Sequence, residues 1–148
     1  MRRGGGRLAI GLMILGSLMV LDGCDLGGGG PGLPRQQSAE TYPGERHEVV
    51  GTIDVAEGGC VRVRLEDGLS YLVIWPATAS QGRDDYVNLG WFQRDLGNGD
   101  RVRGEAALTP LAGLPHWADG YWHAALGWCA KDEDTDALVF DWARGVDE

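Results

Sequence analysis

The chain has 148 residues, 43% of them hydrophobic, with 13 basic and 22 acidic side chains and a formal net charge of −9. Once terminal segments are set aside, that length leaves roughly one domain of about a hundred residues with a single core. An acidic surface repels phosphate backbones and anionic headgroups over a Debye length of about 8 Å, which argues against nucleic acid as a partner.

Arg2, Arg3 and Arg7 form a basic start, and Leu8 to Leu21 form an apolar run of 14 residues closed by Asp22 and Asp25. A run of that length suits the apolar region of an export signal and falls short of the roughly 20 residues that cross a bilayer. Leu21-Asp22-Gly23-Cys24 follows at once. It resembles the lipobox of bacterial lipoproteins, with Asp22 standing where a small or apolar residue is usual. The resemblance covers residues 1–24 and implies thioether attachment of a diacylglyceryl group to Cys24, cleavage before it, and acylation of the new amine. Two or more acyl chains suffice for stable anchoring. The implied location is the extracytoplasmic face of the cell membrane. Losing the leader would leave 10 basic and 21 acidic residues, a net of −11.

Residues 1–23 are thus expected as the signal peptide and 24–42 as lipidated Cys24 plus a flexible tether, since the Gly- and Pro-rich stretch 27–34 and the polar stretch after it show no apolar period. Residues 43–148 are expected to form one domain. Glu48 to Val55 alternates, and Cys60 to Leu65 alternates strictly with Arg62 and Arg64 outward. Glu66-Asp67-Gly68 supplies a turn, and Leu69 to Trp75 is apolar on both faces, as a central strand would be. Pro76 ends its pairing for lack of an N–H. Residues 77–100 predict a short helix or an irregular segment, because a structureless loop of that length is unusual in a small domain. Arg101 to Leu108 alternates again, with Arg101 and Arg103 outward. Residues 109–120 are punctuated by Pro and Gly. The alternation of Tyr121 to Ala130 predicts a strand, the acidic run 132–136 a solvated loop, and Leu138 to Trp142 one short last strand.

Three linked strands, a longer connection and two further strands resemble the order of an OB-fold over residues 47–130. The expected fold is all-β, a five- to six-stranded OB-like barrel with a short helix or irregular segment between its third and fourth strands. A β-sandwich or another small barrel is the alternative.

With Cys24 lipidated, Cys60 and Cys129 remain as an even pair in an exported domain and are expected to form a disulfide, a structural one because no Cys-x-x-Cys is present. Zinc could be gathered by His116, Asp119, His123 and Cys129, although no His pair has helical i, i+4 spacing. Asp132, Asp134 and Asp136 match the start of a calcium loop, but Ala137 and Ala143 stand where its glycine and glutamate belong. Gly-x-Ser-x-Gly and Ser-x-x-Lys are absent. Ligand contact is expected instead from Arg62, Arg64, Arg101 and Arg103 with Trp91, Phe92, Trp117, Tyr121 and Trp122, against the plainer possibility that these arginines meet nearby carboxylates and these tryptophans fill the core. The function expected is therefore that of a monomeric, membrane-anchored, non-enzymatic binding or structural module without metal or cofactor, contacting an envelope protein or glycan. The alternative is a small envelope enzyme or metal-dependent hydrolase using His116, Asp119 and His123.

Overall fold

The computed structural model describes residues 33–146, apart from residues 38, 57, 84, 85, 91–93 and 119. The leader, the lipobox and Cys24 lie outside the described residues. Five strands carry the fold: β1 (His47–Val55), β2 (Val61–Leu65), β3 (Ser70–Ile74), and, after the two-residue strands β4 (Ser80–Gln81) and β5 (Val87–Asn88), β6 (Arg101–Pro110) and β7 (Asp136–Val146). A helix, α1 (Tyr121–Gly127), lies between β6 and β7.

β1, β2 and β3 form an antiparallel meander. Its tightest corner is the Asp-Gly turn. Gly68 takes φ +86°, the Asp67 carboxylate accepts from the Leu69 N–H at 2.8 Å, and Leu65 N–H donates to the Leu69 carbonyl at 2.9 Å. β6 returns antiparallel to β1, β7 lies antiparallel to β6, and β7 runs parallel to β3 with Leu72 opposite Ala137 and Ile74 opposite Val139. Every one of the five strands therefore has two neighbours, and the sheet closes in the order β1-β2-β3-β7-β6.

Period-two alternation decides what goes inside. Ile53, Val63, Val73, Val102, Ala106, Leu138 and Phe140 fill the interior, and Trp75 stacks on Phe140 with ring centroids 5.5 Å apart and planes 9° from parallel. β3 and β7 are also covered on their outer faces, where Leu72, Ile74 and Val139 meet Tyr42, Leu111, Leu114, Trp122 and Leu126. This second cluster explains why β3 is apolar on both sides. Each fully buried side chain of this size contributes about 1.5–3 kcal/mol, so α1 is held by packing and needs little helical propensity of its own.

Three expectations change. Tyr121 to Ala130 is a helix over Tyr121–Gly127 in place of a strand: Trp122, Ala125 and Leu126, at i, i+3 and i+4, are its buried face. The last strand is 11 residues long, Asp136–Val146, and does the work assigned to the segment that became α1. The described part of residues 77–100 contains the β4–β5 hairpin and a bridge between Val87 and Leu96, and the helix sits after the fourth barrel strand, not before it.

The tether expected through residue 42 also ends earlier. Trp75 N–H donates to the Pro34 carbonyl at 2.9 Å and Gln36 N–H to the Trp75 carbonyl at 2.8 Å, so Pro34 to Gln36 lie along the barrel. Glu40 then accepts from the Tyr42 hydroxyl at 2.7 Å and from the Trp122 indole N–H at 2.9 Å, fastening the segment to α1. Burial, reinforced by the Glu40 hydrogen bond, raises the Tyr42 phenol well above its ordinary value.

Candidate functional site

Cys60, just before β2, and Cys129, just after α1, form a disulfide with Cα atoms 5.5 Å apart, closing a separation of 69 residues. Beside it, Arg62 does not project into solvent. Its side chain is 5% exposed, and it forks onto Asp134, 7% exposed, with further bonds to the Ser70 carbonyl at 2.8 Å and the Cys129 carbonyl at 3.4 Å. One member of the acidic run thus has a buried partner. Burial works against the Asp134 charge, yet the Arg62 guanidinium and the Lys131 N–H hold its carboxyl below the usual carboxylate range. Disulfide and ion pair together clamp the 111–135 segment over the outer face of β2 and β3. That covers the outer face of β3 and the Arg62 end of β2, while Arg64 stays open to solvent.

The open surface lies on the other side, where β1, β6 and β7 turn their alternate residues to solvent. The rungs are Glu48, Glu105 and Trp142; then Val50, Arg103 and Arg144; then Thr52, Arg101 and Val146. A bulge at Glu105/Ala106 gives β7 one extra residue, Asp141, and re-aims the strand at Trp142. Gly104 makes this approach possible, since a Cβ there would strike the Trp142 carbonyl and lie 2.7 Å from the Phe140 ring.

Trp142 is 40% exposed, its indole N–H donates to Glu105 Oε2 at 3.3 Å, and the Arg144 guanidinium lies 5.9 Å from its ring centroid. Both line a cleft of about 380 Å³ with Pro76, Thr78, Leu89, Asp141 and Ala143. Asp141 is held by Arg46 at 2.8 Å and by Gln36 at 3.3 Å. A flat aromatic surface, a cation and fixed carboxylates around a shallow concavity can stack on a ring and orient its hydroxyls. A second cleft, about 270 Å³, opens beside the barrel interior between Val49, Leu65, Ala106, Leu108 and Leu138, with Glu45 and His47 at its rim. Its walls are aliphatic.

The residues expected from sequence are dispersed. Trp122 is wholly buried and Trp117 half-buried, so both are packing residues of the α1 layer. Tyr121 is exposed and meets Trp122 edge-on at 4.8 Å. Arg64 faces solvent and pairs with Asp54 at 3.6 Å, while Arg101 and Arg103 reach the open face as expected. Trp91, Phe92 and Asp119 lie outside the described residues. His116 and His123 are exposed; His123 stands edge-on to Trp117 at 5.5 Å, and Cys129 is committed to its disulfide. Among the described residues no group of three or more His, Cys, Asp or Glu side chains is gathered at one point. Trp142, Arg144 and Asp141 were missed. The signal for them was the alternation of Asp141-Trp142-Ala143-Arg144 itself, legible only if the last strand is carried past Trp142.

No family model, curated protein or solved structure matches the chain.

Proposed function

We propose that the chain is an exported, lipid-anchored envelope protein whose OB-like barrel binds an envelope glycan, without catalysis, in the cleft beside β7. Trp142 carries the proposal. It is a large aromatic left exposed next to a concavity within the roughly 300–1,000 Å³ typical of small-ligand sites, with its N–H already fixed by Glu105. The C–H faces of a pyranose are partly positive and complement the negative face of an indole, while Asp141, Thr78 and Arg144 stand where ring hydroxyls would need partners.

The meander, the return of β6 to β1 and the five-strand order support the OB-like assignment. In OB-folds the faces of the second and third strands and the adjoining loops take oligosaccharides and oligonucleotides. Here α1, the disulfide and the Arg62–Asp134 pair cover β3 and the Arg62 end of β2, leaving only Arg64 open there, so ligand binding is assigned to β7. Lipidation at Cys24 rests on residues 1–24 alone. Among the described residues no helix is long and apolar enough to cross a membrane.

Two measurements on the detergent-extracted full chain test the proposal. Intact mass must begin at Cys24 with added acyl chains; a mass beginning elsewhere contradicts the anchor. Soluble envelope-glycan fragments must quench intrinsic fluorescence in the wild type and not in Trp142→Ala, whose unfolding midpoint is unchanged. Equal quenching in both contradicts the site.

A further inference from the structure

The arginines of the open face are placed against their own electrostatics. Arg103 and Arg144 are directly opposite on β6 and β7, and Arg101 is one rung further on, opposite Val146. Like charges directly opposite across an antiparallel pair destabilise it. The face has three carboxylates of its own to offset them, and all are engaged: Glu48 pairs with Arg103 at 2.6 Å, Glu105 accepts from the Trp142 indole, and Asp54, at the end of β1, pairs with Arg64 at 3.6 Å. Among the described residues Arg101 and Arg144 have no carboxylate partner. In a chain of net charge −9, stability alone gives no reason to gather three guanidiniums on adjacent rungs beside an exposed tryptophan.

We propose that the glycan bound at Trp142 is an acidic sugar, carrying a carboxylate on its pyranose ring, and that the Arg144 guanidinium receives that carboxylate while Arg103 and Arg101 keep the local potential positive. This rests on the glycan reading above and deepens it. Arg144 lines the cleft and sits against the Trp142 ring, so a sugar stacked on the indole brings a ring substituent within reach of the guanidinium fork. That fork matches a planar carboxylate bidentately. A phosphate is a poorer match: Asp141 lines the same cleft and Glu105 borders it, and these repel a dianion more strongly than a monoanion. The acidic remainder of the surface repels dense polyanions, so selectivity is for a spaced acidic unit, not for charge alone.

The test uses the detergent-solubilised full chain and three probes: a glucuronate-containing oligosaccharide, a neutral N-acetylglucosamine oligomer and a hexose phosphate. The glucuronate probe should bind roughly tenfold tighter than the neutral one, and added salt should shrink that margin. Arg144→Gln should bring the two probes to parity, and Arg144→Lys, which keeps the charge and loses the fork, should fall between. Arg144 is exposed, so an unchanged unfolding midpoint certifies the fold of either variant. Equal, salt-insensitive binding of the neutral and glucuronate probes overturns the acidic-sugar assignment while leaving the glycan site standing. Tighter binding of the hexose phosphate overturns the carboxylate assignment. No binding of any probe overturns the glycan reading and this inference with it.

Discussion

Replacing Asp134 by Asn removes the charge that faces Arg62 while keeping the shape. Breaking a buried ion pair by removing one partner costs about 3–5 kcal/mol, because the other charge stays buried and unpaired. Arg62 retains the Ser70 carbonyl at 2.8 Å, the Ser70 hydroxyl at 3.3 Å and the Cys129 carbonyl at 3.4 Å, which places this case at the low end, about 3 kcal/mol. For a domain near a hundred residues that corresponds to a loss of roughly 10–20 °C in Tm. Urea unfolding at neutral pH should show it as a lower midpoint at unchanged slope. The pH dependence carries an independent sign. Asp134 has a folded pKa below its ordinary 3.8, so its contribution is present above that value and lost as pH falls through the depressed folded value. The gap between wild type and Asp134→Asn should therefore begin to narrow below about pH 4 and close once the pH has fallen past the depressed folded value. Replacing both partners, Arg62→Met with Asp134→Leu, should restore stability to within about 1 kcal/mol of wild type. If Asp134→Asn unfolds within about 0.5 kcal/mol of wild type, or if the gap persists unchanged in acid, the pair is not the buried clamp described.

Cys60→Ala with Cys129→Ala opens a 69-residue separation and should cost about 4 kcal/mol by urea unfolding. Because disulfide and ion pair tie down the same segment, Asp134→Asn should cost less in that background than alone; strict additivity would contradict a shared clamp. Gly104→Ala drives a Cβ into the Trp142 carbonyl and the Phe140 ring, for a loss of about 1–3 kcal/mol and weaker glycan binding through displacement of Trp142. In spectrophotometric alkaline titration Tyr42 and Tyr71, both raised by burial, should ionise above the ordinary phenol value of about 10. Since these phenols are raised in the folded state, the stability they confer is present below about pH 10 and lost as pH climbs beyond it. Tyr42→Phe should remove the latest step.

Strands whose polar and apolar residues alternated were legible, because only one face of each meets the core: Val61–Leu65 lies where alternation placed it, and Arg101 to Leu108 does so as far as Ala106, after which Ala107 is buried as well and Leu108 turns outward. The disulfide was legible from cysteine parity, Cys60 and Cys129 being the even pair left once Cys24 is set aside. Tyr121 to Ala130 misled because its apolar residues satisfy a period of two and the helical i, i+3, i+4 pattern at once. It contains no β-branched residue to favour the strand, and the covering of β3 settles the matter in favour of a helix. The outward arginine of β2 was right in direction and wrong in environment: Arg62 does leave the barrel interior, but the 111–135 segment folds over it, a tertiary event invisible in local pattern. The Gly- and Pro-rich stretch and the polar one after it gave no apolar period, so nothing in them announced that Glu40 would meet Trp122 across 82 residues, with Tyr42 edge-on to the same indole. Trp142 and Arg144 were hidden because a strand ending in Gly145 and Val146 beside charged residues reads locally as a frayed tail.

Nitrogen-labelled full chain in micelles, titrated with an acidic oligosaccharide, reports the six tryptophans separately through their indole N–H resonances, with Trp142 assigned by loss of its signal in Trp142→Phe. Binding beside β7 requires the Trp142 resonance to move while those of the buried Trp75 and Trp122 stay fixed. A shift of Trp128, the 70% exposed tryptophan at the end of α1, with Trp142 unmoved, or no shift at saturating sugar, would contradict it.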